Sequence, residues 1–262
     1  MVYKINVERR GYMELLKDVC YAKRDHEELL LDIYLPDAET FPVFIYFHGG
    51  GFENGSKLKA ERFAQYLTNR GIAVVSANYR MYPNAKYPDF IEDAAEAVHW
   101  VSENINNYGK CEKMFVGGSS AGGYLSMMLC FDPRWLSKFD SWRLPVTGYF
   151  HNAGQPTCHF NVLQKDRGVS GKRVIVDDSA PLYHVGTTQE YPPMHFVVSD
   201  HDMECRYEQT MLMVATLKHF GHEGDKVGFT LVHGKHCEHD KTFDENGDNI
   251  LGKMIFEFIK KW

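Results

Sequence analysis

Residues Gly118-Ser119-Ser120-Ala121-Gly122 fit the pattern G-x-S-x-G, and they stand between two apolar runs, Met114-Phe115-Val116 and Tyr124 to Phe131. In that setting a strand passes through one strained residue into a helix. The Ser120 hydroxyl then projects above the sheet as a nucleophile. Gly118 and Gly122 flank it because strand and helix come too close for side chains. The helix N-terminus offers N–H groups and positive dipole to a developing oxyanion. A phosphate-binding loop is the competing reading of a Gly-rich turn, but no Gly-Lys-Ser/Thr ending follows.

A second glycine cluster, His48-Gly49-Gly50-Gly51-Phe52, directly follows the apolar run Val43 to Phe47. Consecutive glycines expose backbone N–H groups and let the main chain approach a ligand. The backbone N–H groups of Gly50 and Gly51, with that of Ala121, are the expected oxyanion donors. His48 ends a buried strand and reads as structural.

A serine nucleophile needs a base, and the base needs an orienting acid. In chain order Ser, acid, His, the acid falls in Asp200-His201-Asp202, after the strand Met194 to Ser199. Asp202 is the choice, from its place in the loop, with Asp200 as runner-up. An N-cap of the helix near Arg206 is the non-catalytic alternative. The base falls in His233-Gly234-Lys235-His236-Cys237-Glu238-His239, after the strand Val227 to Val232. His236 is the choice, over His233 near the strand end and His239 in the next turn. His233, His236, His239 and Cys237 are also zinc-type ligands, but their spacing matches no metal motif, so no metal is assigned. The chemistry requires no cofactor.

The elements that position these residues alternate. Strand expectations are Leu29–Tyr34, Val43–His48, Ile72–Ala77, Lys113–Gly117, Val146–Asn152, Met194–Ser199 and Val227–Val232. Helix expectations are Lys59–Asn69, Pro88–Tyr108, Arg206–Phe220 and Phe243–Trp262. This alternation implies an α/β fold with a mostly parallel central sheet and helices on both faces. Leu15 to Pro36, with Arg24-Asp25-His26 in its middle, reads as an antiparallel hairpin at the sheet edge. Residues 133–190 break the rhythm and read as a lid or pocket wall on one domain spanning 1–262. Phe52, with the lid aromatics Trp135 and Trp142, is assigned to the substrate pocket.

One long uncharged run, Met114 to Phe131, reaches the lower length limit of a membrane span, yet holds four glycines and three serines. Strand, elbow and buried helix account for it without a membrane. The formal charge is −6, from 29 Lys and Arg against 35 Asp and Glu. That balance argues against an electrostatic nucleic-acid binder. Residues 1–11 lack the apolar core of a secretory signal, and six scattered cysteines form no C-x-x-C pair. Both point to reduced thiols and a cytoplasmic location. The expected partner is a small-molecule ester; the oligomeric state stays open, a homo-oligomer among the options.

The elbow, the HGGGF loop and the Ser–Asp–His order together resemble the α/β-hydrolase fold esterases, specifically the hormone-sensitive-lipase-like acetyl esterase/lipase group and its small bacterial relatives. Asn78-Tyr79-Arg80-Met81-Tyr82-Pro83 is similar to the family's YR-x-x-P segment, and Tyr87-Pro88 through Asp93 and Trp100 resembles the helix that follows it. Asp202 with Gln209 resembles the acid loop of the small members, and Asp178-Ser179-Ala180-Pro181 the end of their lid. Ser119 stands where larger members often carry Asp, and Asn84 where Glu is usual. The larger members' N-terminal cap has no counterpart in a core that begins near residue 15. The resemblance implies a serine carboxylic-ester hydrolase with short acyl groups, acetylated or hydroxycinnamoylated sugars among them. An arylformamidase-type amidase is the same-fold alternative, although those relatives resemble HGG-x-W and Phe52 takes the last position here. A non-catalytic binding protein of this fold is the third reading; such proteins generally lose a triad member.

Overall fold

The computed structural model describes residues 14–24, 27–187, 190–222 and 224–262, and of residues 2–5 and 13 the backbone alone. Its centre is a nine-stranded sheet in the order β1-β2-β3-β5-β4-β6-β7-β8-β9. The strands are β1 (Val2–Ile5), β2 (Met13–Arg24), β3 (Glu27–Leu35), β4 (Thr40–Phe47), β5 (Ala73–Ala77), β6 (Lys110–Ser119), β7 (Val146–Asn152), β8 (Met194–His201) and β9 (Val227–Lys235). From β5 through β4 to β9 neighbouring strands are parallel, whereas β1, β2 and β3 form an antiparallel edge. The hairpin expected over Leu15 to Pro36 is therefore β2–β3; Asp25 and His26 lie outside the described residues.

The helices are α1 (Glu61–Thr68), α2 (Asp89–Asn104), α3 (Ala121–Phe131), α4 (Arg206–His219) and α5 (Ile250–Lys261). Side chains of a strand alternate between faces, and β4 shows both faces covered. Val43, Ile45 and Phe47 join one core with Phe90, Ile91 and Val98 of α2, Leu125 and Met128 of α3 and Met213 of α4. Phe44 and Tyr46 join the other, with Phe63 and Leu67 of α1 and Ile255 and Phe258 of α5. Each such side chain contributes roughly 1.5–3 kcal/mol on burial, and the unbroken apolar run of β4 follows from the two cores.

Several boundaries differ from expectation. The helix expected from Phe243 begins at Ile250, because Asn249 accepts the Gly252 N–H at 2.9 Å as its N-cap and residues 243–249 form turns around Gly247. Strand β6 continues to Ser119, so the nucleophile stands immediately beyond its end. Strand β9 continues to Lys235, which puts His233 in the strand and not in the loop. Within 133–190, β7 belongs to the central sheet. The uncharged run Met114 to Phe131 is split between β6 and the buried α3, and no helix among the described residues is long and apolar enough to cross a membrane.

Candidate active site

Ser120 has φ 55° and ψ −112°, between the last residue of β6 and the first of α3. A non-glycine residue there stores on the order of 1–3 kcal/mol of strain, which its surroundings must enforce. They do so from two sides. Its N–H donates to the carbonyl oxygen of Asn152 at the end of β7, at 2.8 Å. Its glycine neighbours allow β6, β4 and α3 to touch: a Cβ on Gly122 would stand 1.9 Å from the Phe47 carbonyl oxygen, and one on Gly118 2.4 Å from the Gly122 carbonyl carbon. Ser119 is held in place by Tyr46 Oη and Asn152 Nδ2, which donate to its Oγ at 3.1 and 2.9 Å.

The loops after β8 and β9 bring the other two residues to this point. His236 Nε2 lies 2.8 Å from Ser120 Oγ, and His236 Nδ1 lies 2.5 Å from Asp202 Oδ1. With Nδ1–H donated to the carboxylate, Nε2 is left to accept the serine proton. Burial raises the cost of the Asp202 charge, but the His236 hydrogen bond and charge outweigh it and hold the carboxyl below its ordinary value. Asp202 also accepts the N–H groups of Met203 and Ser199. Its neighbour Asp200 points elsewhere: it pairs with His201 Nδ1 and His233 Nδ1, each at 2.7 Å, and accepts the Gly234 N–H at 2.9 Å. That N–H, then His233, depress the Asp200 carboxyl strongly. His239 is also elsewhere, buried with Nε2 2.7 Å from Asn152 Oδ1. The three histidines of 233–239 thus have separate partners, and Cys237 Sγ lies 3.8 Å from His236 Nε2. Among the described residues, the group that converges with metal-ligand spacing is Asp200, His201 and His233, all exposed.

Gly50 and Gly51, with φ of 141° and 65°, line a cavity of about 400 Å³ that also contains Ser120 and His236. Among the described residues their N–H groups donate to no protein acceptor, and Ala121, first in α3, has no intrahelical acceptor. The three expected donors are therefore unspent. The loop carrying Gly50 and Gly51 is pinned by the segment Asn78–Pro83. Tyr79 Oη donates to the His48 carbonyl oxygen at 2.6 Å and its ring stacks on the His48 imidazole at 4.4 Å. Arg80 grips the fully buried Asp93 of α2 with Nε and Nη2, at 2.8 and 2.9 Å. Tyr82 N–H donates to the Phe52 carbonyl oxygen at 2.8 Å. His48 itself is enclosed, and burial lowers its imidazole to about 4.

The substrate-pocket assignments need correction. Phe52 is fully buried and stacks on Phe90 at 4.1 Å. Trp135 is buried in the core, and Trp142 packs edge-on against His99 of α2 at 5.2 Å. None of the three lines the Ser120 cavity. Large aromatics at these positions serve the interior, where their area is worth most. The cavity wall is instead made by Phe63, Phe160, Asn161, Met203 and Leu251, with Lys59, Arg62 and Lys241. Asn161, from the 133–190 segment, donates from Nδ2 to the Gly51 carbonyl oxygen at 2.5 Å and to Glu53 Oε2 at 2.9 Å. Nothing in the sequence marks Asn161 or Asn152, because their partners lie far away along the chain.

Comparison with known proteins relates the chain to esterases. The family model described as BD-FAE matches residues 31–142. Probable carboxylesterase 7 of Arabidopsis thaliana is 33% identical over 94% of this chain and 86% of that protein. Esterase LipI of Mycobacterium tuberculosis is 38% identical over 36% of this chain, a match that spans only 30% of that protein's own length. Among solved structures, Est2 of Thermogutta terrifontis with bound propionate superposes with a TM-score of 0.72 at 22% identity, covering 93% of this chain and 92% of that one. Esterase B from Lactobacillus Rhamnosis (HN001) gives 0.75 at 17% identity, covering 95% and 85%. At these identities the structural likenesses establish the α/β-hydrolase fold.

Proposed function

We propose that this chain, which belongs to the carboxylesterase family of the α/β-hydrolase fold, hydrolyses short-chain carboxylic esters through Ser120, His236 and Asp202. The observation that carries the reading is the continuous relay from Asp202 Oδ1 through His236 to Ser120 Oγ, beside the unspent N–H groups of Gly50 and Gly51.

Ser120 Oγ attacks the acyl carbon while His236 Nε2 takes its proton. The carbonyl oxygen becomes an oxyanion held by the N–H groups of Gly50, Gly51 and Ala121; loss of one such donor costs on the order of 100- to 1000-fold in kcat. The carbon–oxygen bond to the alcohol breaks, and His236 returns the proton to the departing alkoxide. Water then attacks the acyl-enzyme with His236 as base, and the carboxylic acid leaves as Ser120 regains its proton. Asp202 keeps His236 in the required tautomer and balances the imidazolium that forms.

A cavity of about 400 Å³ suits a short acyl group, and acetylated or hydroxycinnamoylated sugars are candidate substrates. The unpaired state of all six cysteines supports a reducing compartment such as the cytoplasm. The deciding experiment is hydrolysis of p-nitrophenyl acetate by the wild type and by Ser120→Ala, with fluorophosphonate labelling alongside. Turnover and labelling are expected in the wild type and absent in the variant. Near-wild-type turnover by Ser120→Ala discards the assignment.

A further inference from the structure

The Ser120 cavity is bordered by three cationic side chains, Lys59, Arg62 and Lys241. We infer that its substrate is an ester carrying a second, negatively charged group, carboxylate or phosphate, on the acyl or the alcohol part; this rests on the ester-hydrolase reading above.

Lysine and arginine on a surface are ordinarily solvated and paired, so their presence alone means little. These three are neither dispersed nor neutralised. The half-buried Lys59 reaches into the site and donates from Nζ to the Gly49 carbonyl oxygen at 2.7 Å, and a Cβ on Gly49 would stand 3.0 Å from Ser120 Cβ. Burial, then the Arg62 charge, weaken its hold on its proton, and Lys241 opposes that charge too. Neither the Arg62 guanidinium nor the Lys241 ammonium has a hydrogen-bond or ion-pair partner among the described residues. Two carboxylates share the wall: Glu53 is offset by Lys165, whereas Asp240 keeps its charge and partly offsets that of Lys59. Glu53 pairs with Lys165 at 2.6 Å and takes the Asn161 amide. Asp240 accepts Asn152 Nδ2 at 2.7 Å and lies 3.3 Å from His239 Nε2.

With three cations on the wall against two carboxylates, one of them offset by Lys165, a chain of formal charge −6 keeps a net positive lining beside Ser120. A cleft of one sign, partly walled from water, concentrates ligands of the opposite sign. A neutral acyl ester uses none of it. An anionic group a few bonds from the scissile carbonyl would find Lys59 beside the oxyanion loop, with Arg62 and Lys241 around it.

The test compares kcat/KM within matched pairs. Mono-p-nitrophenyl succinate against p-nitrophenyl butyrate places the charge on the acyl part. Para-acetoxybenzoate and para-acetoxyphenyl phosphate against phenyl acetate place it on the alcohol part. At least one anionic ester should exceed its neutral partner by about tenfold or more, and the arm that does so identifies the side that carries the charge. That ratio should collapse toward one in Arg62→Gln/Lys241→Gln and in roughly 1 M salt, where the Debye length is about 3 Å. Lys241→Gln alone, at an exposed position, should lower it partway and guards against misfolding of the double variant. Ratios at or below one in every arm, or a ratio indifferent to these substitutions, overturn the inference while turnover of the neutral esters leaves the hydrolase reading standing. Absence of turnover on all the esters, with no fluorophosphonate label on Ser120, overturns both.

Discussion

The Asn161 side-chain amide donates to the carbonyl oxygen of Gly51 at 2.5 Å, linking positions 110 residues apart. Asn161 is almost fully buried, and the same amide reaches Glu53. It therefore fixes the peptide that follows one of the proposed oxyanion donors. Gly51 has φ of 65° and little to restrain it from within. Removing the tether should let the loop sample positions in which its N–H groups no longer meet the oxyanion. Displacements near 1 Å at such a site cost on the order of 100-fold. Asn161→Ala is expected to lower kcat by about 10- to 100-fold with a much smaller change in KM, and to slow fluorophosphonate labelling in parallel. A rise in KM with kcat intact would assign Asn161 to substrate binding instead.

Asp202 and Asp200 make opposite predictions. Asp202 hydrogen-bonds His236, whereas Asp200 pairs with His201 and His233. Asp202→Asn would offer a neutral amide to His236 Nδ1 and favour the wrong tautomer, at a cost on the order of 10,000-fold in kcat. Asp200→Asn should cost less than about tenfold, since it leaves the relay untouched. Steady-state kinetics on p-nitrophenyl acetate decide between them. The reverse ranking would move the acid to Asp200.

Local pattern made part of this site readable in the sequence. The elbow depends on residues that are neighbours in the chain, so Gly118, Ser120 and Gly122 announce it. The order of strands then points to the loops that carry Asp202 and His236. The two-sided burial of β4 is visible in Val43 to Phe47 because both pleat directions meet a core. What was not readable depends on contacts between distant segments. Asn152 holds the elbow from β7, Asn161 holds the glycine loop, and Lys59 and Arg62 at the start of α1 converge with Lys241 from the turn after β9. Residue type alone points Phe52, Trp135 and Trp142 toward the pocket, whereas Phe52 and Trp135 are buried in the interior and the half-buried Trp142 packs against His99 of α2. The start of α5 at Ile250 and not Phe243 has a local cause, the competing turn chemistry of Asp244 to Asn249.

The close approach at the elbow can be tested by a single methyl group. A Cβ at residue 122 would meet the Phe47 carbonyl oxygen at 1.9 Å and its carbon at 2.5 Å. Both are backbone atoms of β4 and cannot swing aside. Overpacking of this kind costs about 1–3 kcal/mol, and more where the obstacle is rigid. Gly122→Ala is expected to lower the urea midpoint markedly and to abolish activity in whatever fraction folds. A midpoint equal to wild type would mean that α3 and β4 stand further apart than described.

Buried histidines set the acid limit of the fold. Burial lowers His48 and His195 to about 4 and His151 to about 3. Their ordinary value is 6.5, so the unfolded chain takes up protons that the folded chain refuses. Stability from this source is complete above about 6.5 and is lost progressively as pH falls toward 4, where His48 and His195 finally charge in the folded state. Each such histidine contributes a slope of up to roughly 1.4 kcal/mol per pH unit within that window. Depressed carboxyls such as Asp202 act lower, below their ordinary 3.8, and leave this window to the imidazoles. Urea midpoints should therefore drop steeply from pH 6.5 to 4.5 and change little from 8 to 7. His195→Gln, which replaces a ring packed on Phe150 and bonded to Thr230, should lower stability at pH 8 yet flatten the acid slope by one histidine's share. An acid slope as steep in that variant as in the wild type would remove His195 from the account.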